Sequence, residues 1–220
     1  MHKLCYVCEA TAGGVRKHLR DLCRVFSRPE EGFAVHALLG DRGEEGFREE
    51  LEQLRASGAN FQYTFVPTLR RPVRPWPDLR AWLEIRRLLR TIAPDIVHTH
   101  SSKAGVLGRQ AAHQLGIRSI YHTAHVFSYQ WARGAKARVF LALEQQAARC
   151  CKALVCVGES QRADALARGV AGPEKLIVIR NGVELPAWSA GGQEEARRAA
   201  RAALALSGTV PAVGMVARLA

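Results

Sequence analysis

Along the chain, short runs rich in β-branched and aromatic residues alternate with longer stretches in which apolar positions recur at helical spacing. The short runs predict strands over residues 3–8, 33–39, 61–66, 95–99, 119–123, 153–157 and 176–180. Between them, 15–26 sets Leu19, Leu22, Cys23 and Phe26 on one helical face, and 45–56 and 79–92 repeat the pattern with Leu51/Leu54 and Leu79/Leu83/Leu88/Ile92. Two further stretches, 103–115 and 136–151, are Ala- and Leu-rich helix candidates. Gly116 and Gly169 read as helix stops and Ser160 as a helix cap. Strand followed by helix, repeated, means successive βα units on a parallel sheet with both faces covered. The fold class predicted is α/β, a Rossmann-like doubly wound parallel sheet.

The last stretch breaks the rhythm. After Pro186, residues 187–192 are small and polar, a linker, and behind them come one helix over 193–206 and one apolar strand over 210–216. That strand has no following helix and no strand beyond it to complete a βα unit. The expected division is therefore 1–183 for the main domain and 184–220 for a linker and the truncated start of a second one.

Composition narrows the class. Of 220 residues, 48% are hydrophobic and 24% charged, which excludes a disordered chain, a collagen and a disulfide-stapled miniature. No stretch reaches the roughly 20 uninterrupted apolar residues that span a bilayer. The N-terminus meets Glu9 too early for a signal peptide, so the expected compartment is the cytoplasm. Cys5 and Cys8 lie in a strand at an odd separation, which points them to opposite faces and reads as two buried thiols rather than a redox or metal pair. Cys150, Cys151 and Cys156 read the same way. Charge is uneven: the net is +12, and Arg70 to Arg90 alone holds seven arginines against Asp78 and Glu84, with Trp76 and Trp82 among them. Such a segment suits an anionic partner.

Candidate chemistry gathers in the loops that follow strands, where an open α/β sheet binds its ligands. Thr11-Ala12-Gly13-Gly14-Val15 follows the first strand, His98-Thr99-His100-Ser101-Ser102-Lys103 ends the fourth, and His122-Thr123-Ala124-His125 ends the fifth. Gly158-Glu159-Ser160 and Asn181-Gly182-Val183 follow the sixth and seventh. The glycine pair permits close approach of a ligand to backbone, yet falls short of the full dinucleotide fingerprint. His98 and His100, two apart, share one face of the strand end, where ligation, proton transfer or a buried structural histidine are all open. One alternative is a metal-dependent hydrolase using His98, His100 and His122 or His125, weakened because Asp95 is the one acid nearby. A non-catalytic basic module for lipid or nucleic acid is the other, weakened by the lack of any reader motif.

In this order, Ala12-Gly13-Gly14-Val15, Asp95-Ile96-Val97-His98-Thr99-His100-Ser101, Thr123-Ala124-His125 and Val178-Ile179-Arg180-Asn181-Gly182-Val183 resemble the N-terminal half of the family 4 glycosyltransferases. Glu144 and Val213-Gly214-Met215-Val216-Ala217-Arg218-Leu219 extend the likeness across essentially the whole chain. The resemblance implies a GT-B architecture, two Rossmann-like domains facing across a cleft. It implies retaining transfer of a sugar from a nucleotide-sugar to a lipid-linked or saccharide acceptor in cell-envelope or exopolysaccharide synthesis, with no cofactor and no obligatory metal. By position, Gly13 and Gly14 correspond to the loop near donor phosphates and acceptor, and His125, with His122 second, to the histidine near the transferred sugar. Arg218 matches the diphosphate-contacting arginine, although Ala217 replaces the usual glycine before it. His100, Lys103 and Glu159 fall on the acceptor side. Arg70, Arg71, Arg74 and Trp76 suit docking to an anionic membrane, which implies a peripheral position on the inner face of the plasma membrane; no specific nucleic acid is implied. Most of the family's donor site belongs to a C-terminal domain of which almost nothing is present, so these 220 residues are expected to transfer no sugar alone.

Overall fold

The computed structural model describes residues 1–40, 46–182, 192–207 and 210–214. They fall into two compact units, Met1–Asn181 and Gly182–Ala220. The first holds seven strands: β1 (His2–Cys8), β2 (Phe33–Gly40), β3 (Phe61–Val66), β4 (Ile96–His100), β5 (Ser119–Ala124), β6 (Ala153–Cys156) and β7 (Leu176–Val178). They form one sheet in the order β3-β2-β1-β4-β5-β6-β7, and every neighbouring pair is parallel. Six helices, α1 (Gly13–Phe26), α2 (Phe47–Ala56), α3 (Pro75–Ile92), α4 (Ser102–Gln114), α5 (Gly134–Arg149) and α6 (Glu159–Ala167), link the strands. This is the doubly wound α/β sheet that the alternating pattern predicts.

Two cores follow from strand alternation. Leu4, Tyr6 and Cys8 of β1 join Val35, Ala37 and Leu39 of β2 under Leu19 and Cys23 of α1. Cys5 and Val7 point the other way, to Val97, Ile120, Leu154 and the inner faces of α3 and α4, including Ile85 and Ala111. The two cysteines of β1 are thus buried on opposite faces, and burial pushes the Cys8 thiol up to about 12, so neither is a nucleophile at neutral pH.

Several boundaries differ from expectation for local reasons. Asp95 stands outside β4, where its Oδ2 accepts the Lys3 amide at 2.8 Å. α3 begins a turn early, at Pro75, because proline suits the first helical position and Asp78 reaches back to the Arg74 amide at 2.9 Å. Ser160 is not a cap. Extended Gly158 takes that position, and Gln161, three residues on, receives the Val157 amide at 2.8 Å. Gly116 and Gly169 do end helices, each at positive φ.

In the second unit, α7 (Gln193–Ala203) is the one described element, with no buried residue. Residues 210–214 are not a strand, since among the described residues of that unit there is no second strand to pair with; 215 and 216, like most of the expected linker, lie outside the described residues.

α4 lies close on the sheet because Gly105 and Gly108 face it. A Cβ added at Gly105 would sit 2.4 Å from His122 Cε1, and one at Gly108 2.7 Å from Thr99 Cγ2. Gly105→Ala should destabilise the domain by about 1–3 kcal/mol through overpacking. A lowered urea midpoint at unchanged m-value checks this; an unchanged midpoint would mean that the helix can shift freely.

Candidate functional site

The strand order reverses direction between β1 and β4, and there the following helices leave to opposite faces and open a crevice at the strand ends. The register puts Cys8 beside His100 at its floor. Just past Cys8, the buried Glu9 carboxylate accepts the amides of Lys103 and Ala104 at 3.0 Å each. It therefore fills the N-terminus of α4, where an external anion would otherwise sit. Ser101, between β4 and α4, has φ 63 and ψ 169, a backbone region that side chains disfavour. The strain marks the sharp exit from β4 into α4 at the crevice.

Beside this turn lies a cluster of imidazoles. His98 and His100 stack at 4.3 Å, His100 and His125 stack at 5.5 Å, and His18 of α1 meets His125 edge-on at 4.9 Å and His100 at 5.6 Å. His100 Nδ1 lies 3.3 Å from His125 Nε2, and His98 Nε2 lies 2.8 Å from Thr123 Oγ1. Tyr6 forms the floor, 5.7 Å from His98 and 5.6 Å from His100. Burial pushes every one of these histidines down: His98 falls to about 3, His125 to about 4 and His100 well below its usual value, with the neighbouring imidazoles adding to the effect, while His18 falls below its usual value by burial against the opposing pull of Asp21. At neutral pH the cluster is uncharged, able to donate and accept hydrogen bonds.

His125 also lines a cavity of about 810 Å³. Ala12 and Val15 of the glycine loop, Val106 and Leu107 of α4, and Phe140 and Leu143 of α5 contribute to its wall, and Arg70, Arg71 and Lys136 supply charge. α1 opens onto it with no acid in its first turn and, among the described residues, no side-chain cap. Gly13, at φ 59, and Gly14 are exposed, and a Cβ on either would meet nothing within 4 Å among the described residues. A second cavity, of about 550 Å³, opens at the opposite end of the strands among Lys3, His36 and Asn60, away from the candidate loops.

The profile of Glycosyltransferase Family 4 matches residues 12–186. The chain belongs to this family. It is 37% identical, over 122 residues, to the Escherichia coli UDP-Gal:alpha-D-GlcNAc-diphosphoundecaprenol alpha-1,3-galactosyltransferase, a match covering 55% of this chain and 32% of that protein. The chain thus spans about a third of that relative. A glycosyltransferase from Rickettsia africae has the same fold, with a TM-score of 0.66 at 16% identity over 96% of this chain and 51% of that one. Anabaena HepE, solved with UDP and glucose, gives 0.63 at 17% identity, over 84% and 45% respectively. The sheet is accordingly the N-terminal half of a GT-B fold.

The fold of this family-4 chain brings Gly13, Gly14, His100 and His125 to one end of the sheet but does not bring His122 there. Alternation along β5 sends His122 to the other face, fully buried, with Nδ1 2.9 Å from Thr99 Oγ1 and 3.1 Å from its carbonyl. There it sits by a buried ion pair in which Arg109 Nη2 meets Glu144 Oε1 at 2.6 Å. A metal set containing both His100 and His122, as the hydrolase alternative allows, is therefore split across the sheet. Lys103 lines the cavity, but its ammonium is already paired with Asp78 and the Pro72 carbonyl. Glu159 is exposed in the first turn of α6, outside the cavity lining. Arg70, Arg71, Arg74 and Trp76 are all exposed, whereas Trp82 packs against the core. Arg218 and Val183 lie outside the described residues.

Sequence reasoning missed His18 and Glu9. His18 comes one helical turn after Gly14, a spacing that was the available signal for a glycine-loop partner. Glu9 had none, because its role depends on α4 arriving from nearly a hundred residues away.

Two outcomes follow from these charges. Histidines with folded-state pKa values below the unfolded 6.5 take up protons on unfolding, so stability is full above about pH 6.5 and falls as pH drops toward 4. Thermal melts across that window should show the loss, with a shallower slope in His100→Phe; a flat profile would contradict the buried cluster. Arg109→Met, which strands Glu144, should cost about 3–5 kcal/mol, and Arg109→Met with Glu144→Leu should recover most of it in urea melts.

Proposed function

We propose that this chain is the acceptor-side half of a retaining glycosyltransferase that moves a sugar from a nucleotide-sugar onto a lipid-linked or saccharide acceptor in cell-envelope or exopolysaccharide synthesis. One observation carries the reading: neutral His125, the acid-free start of α1 at Gly13 and Gly14, and a cavity with apolar walls and a basic rim meet at one end of the sheet. When a sugar leaves a nucleoside diphosphate, negative charge grows on the departing phosphate. Helix-start amides at Gly13 and Gly14 suit that charge, and Arg218 is assigned the same partner. The neutral imidazole of His125 is assigned a sugar hydroxyl, because an uncharged ring can both accept and donate a proton.

The acceptor is assigned to the cavity. Val106, Leu107, Phe140 and Leu143 suit an apolar tail, while Arg70, Arg71 and Lys136 suit a diphosphate. The relative's name gives an undecaprenol diphosphate acceptor, which is that chemistry. His100 and Lys103 then act at one remove, His100 by orienting His125 and Lys103 by holding Asp78 in the cavity wall. Glu159 is assigned to the acceptor's outer part. Among the described residues no helix is long and apolar enough to cross a membrane. Exposed Trp76, Leu79 and Leu83 make one stripe of α3 beside Arg70, Arg71 and Arg74, a surface suited to peripheral docking on an anionic cytoplasmic leaflet.

Calorimetry with a short-chain polyprenyl diphosphate-linked sugar tests the acceptor assignment. Binding to this chain should weaken about three- to tenfold in His125→Ala, the worth of a hydrogen bond; absence of binding would overturn it. Incubated alone with UDP-hexoses and that acceptor, the 220 residues should bind without turnover, since the solved relatives are about twice as long. Sedimentation with anionic liposomes should capture the chain at low salt and lose it in Arg70→Glu/Arg71→Glu; failure to bind would remove the membrane role.

A further inference from the structure

The histidine cluster carries a second chemistry. One ring nitrogen from each of His18, His100 and His125 lies within 4.8 Å of the others. His100 Nδ1 and His125 Nε2 are 3.3 Å apart. Two nitrogens each bound to a tetrahedral ion at about 2.0–2.1 Å sit about 3.3–3.4 Å from one another, so this pair already has the spacing of two ligands in one shell. Among the described residues, the buried Nε2 of His18 has no hydrogen-bond partner, a state that buried polar atoms avoid. The three ligands come from three separate elements, α1, the end of β4 and the loop after β5, so only the folded chain offers them together.

We propose that His18, His100 and His125 form a binding site for a borderline divalent cation of the Zn²⁺ class, one that inhibits the proposed transfer. An all-imidazole donor set without carboxylates selects against Mg²⁺ and Ca²⁺, which require oxygen, and for Zn²⁺ or Co²⁺. His125 lines the cavity, so a fourth position opens toward solvent. An ion held at His125 Nε2 displaces the contact through which His100 orients that ring and adds positive charge beside its remaining nitrogen, which opposes the sugar-hydroxyl role. The ion-binding claim stands on the cluster geometry alone, while its inhibitory effect rests on the sugar-transfer reading.

Chelator-stripped protein titrated with Co²⁺ should develop the visible absorption of a low-coordinate nitrogen site at one ion per chain, displaced by Zn²⁺. His18→Gln and His125→Gln should each weaken binding at least about 10–100-fold, while His113→Gln, at an exposed position on α4, leaves it unchanged. X-ray absorption on the unmutated Zn²⁺-loaded chain should show an imidazole shell, a measurement that does not depend on how variants fold. A sulfur shell, binding that survives His18→Gln, or no cobalt band at all would overturn the site. An intact acceptor affinity beside an absent metal would leave the sugar reading standing and remove only this one.

Discussion

Parallel pairing of all seven strands imposes a direction on the whole molecule: every strand delivers its carboxyl end, and every following helix its amide end, to the same edge of the sheet. The reversal of order at β1 and β4 then parts the helices at one place on that edge. Chemistry scattered from residue 12 to residue 125 converges there because no other edge has both open backbone and diverging walls. Glu9 secures the arrangement by tying the end of β1 to the start of α4 through two amides. That carboxylate is spent on the link, whereas the first turn of α1, beside the same cavity, holds no acid.

Burial decides the electrostatics of the site. The chain carries +12, yet the crevice is floored by uncharged imidazoles whose protons are excluded by desolvation and by one another. The positive charge instead lies around the cavity mouth and along α3. A neutral interior under a basic rim separates two tasks, holding an anionic group at the edge and offering hydrogen bonds to neutral hydroxyls within. The Arg109–Glu144 pair lies behind His122 on the opposite face of the sheet, with Glu144 reaching the cavity wall, and removing either member would leave the other charge buried and alone.

Legibility in the sequence followed the range of the forces involved. The seven strands, the helices between them and the glycine stops at Gly116 and Gly169 were readable because alternation, helical period and left-handed backbone are local properties. The gathering of Gly13, Gly14, His100 and His125 was readable too, through the general rule for parallel sheets together with a family likeness. His122 and His125 stand three residues apart, and the family likeness ranked His125 first and His122 second for the same role. A single step of strand alternation, followed by a loop, put one behind the sheet and the other in the cavity.

The order of residues therefore determined the class of fold, the end of the sheet at which chemistry collects and the side chains eligible to take part, all of which follow from periodicity and chain direction. Only the tertiary structure decided that His18 joins His100 and His125, that Glu9 occupies the α4 terminus, that Lys103 is already paired with Asp78, and that Arg109 is buried whole. Each of these depends on elements far apart in the chain meeting at hydrogen-bond distance, and such meetings are set by the packing of whole helices on the sheet rather than by any pattern along it.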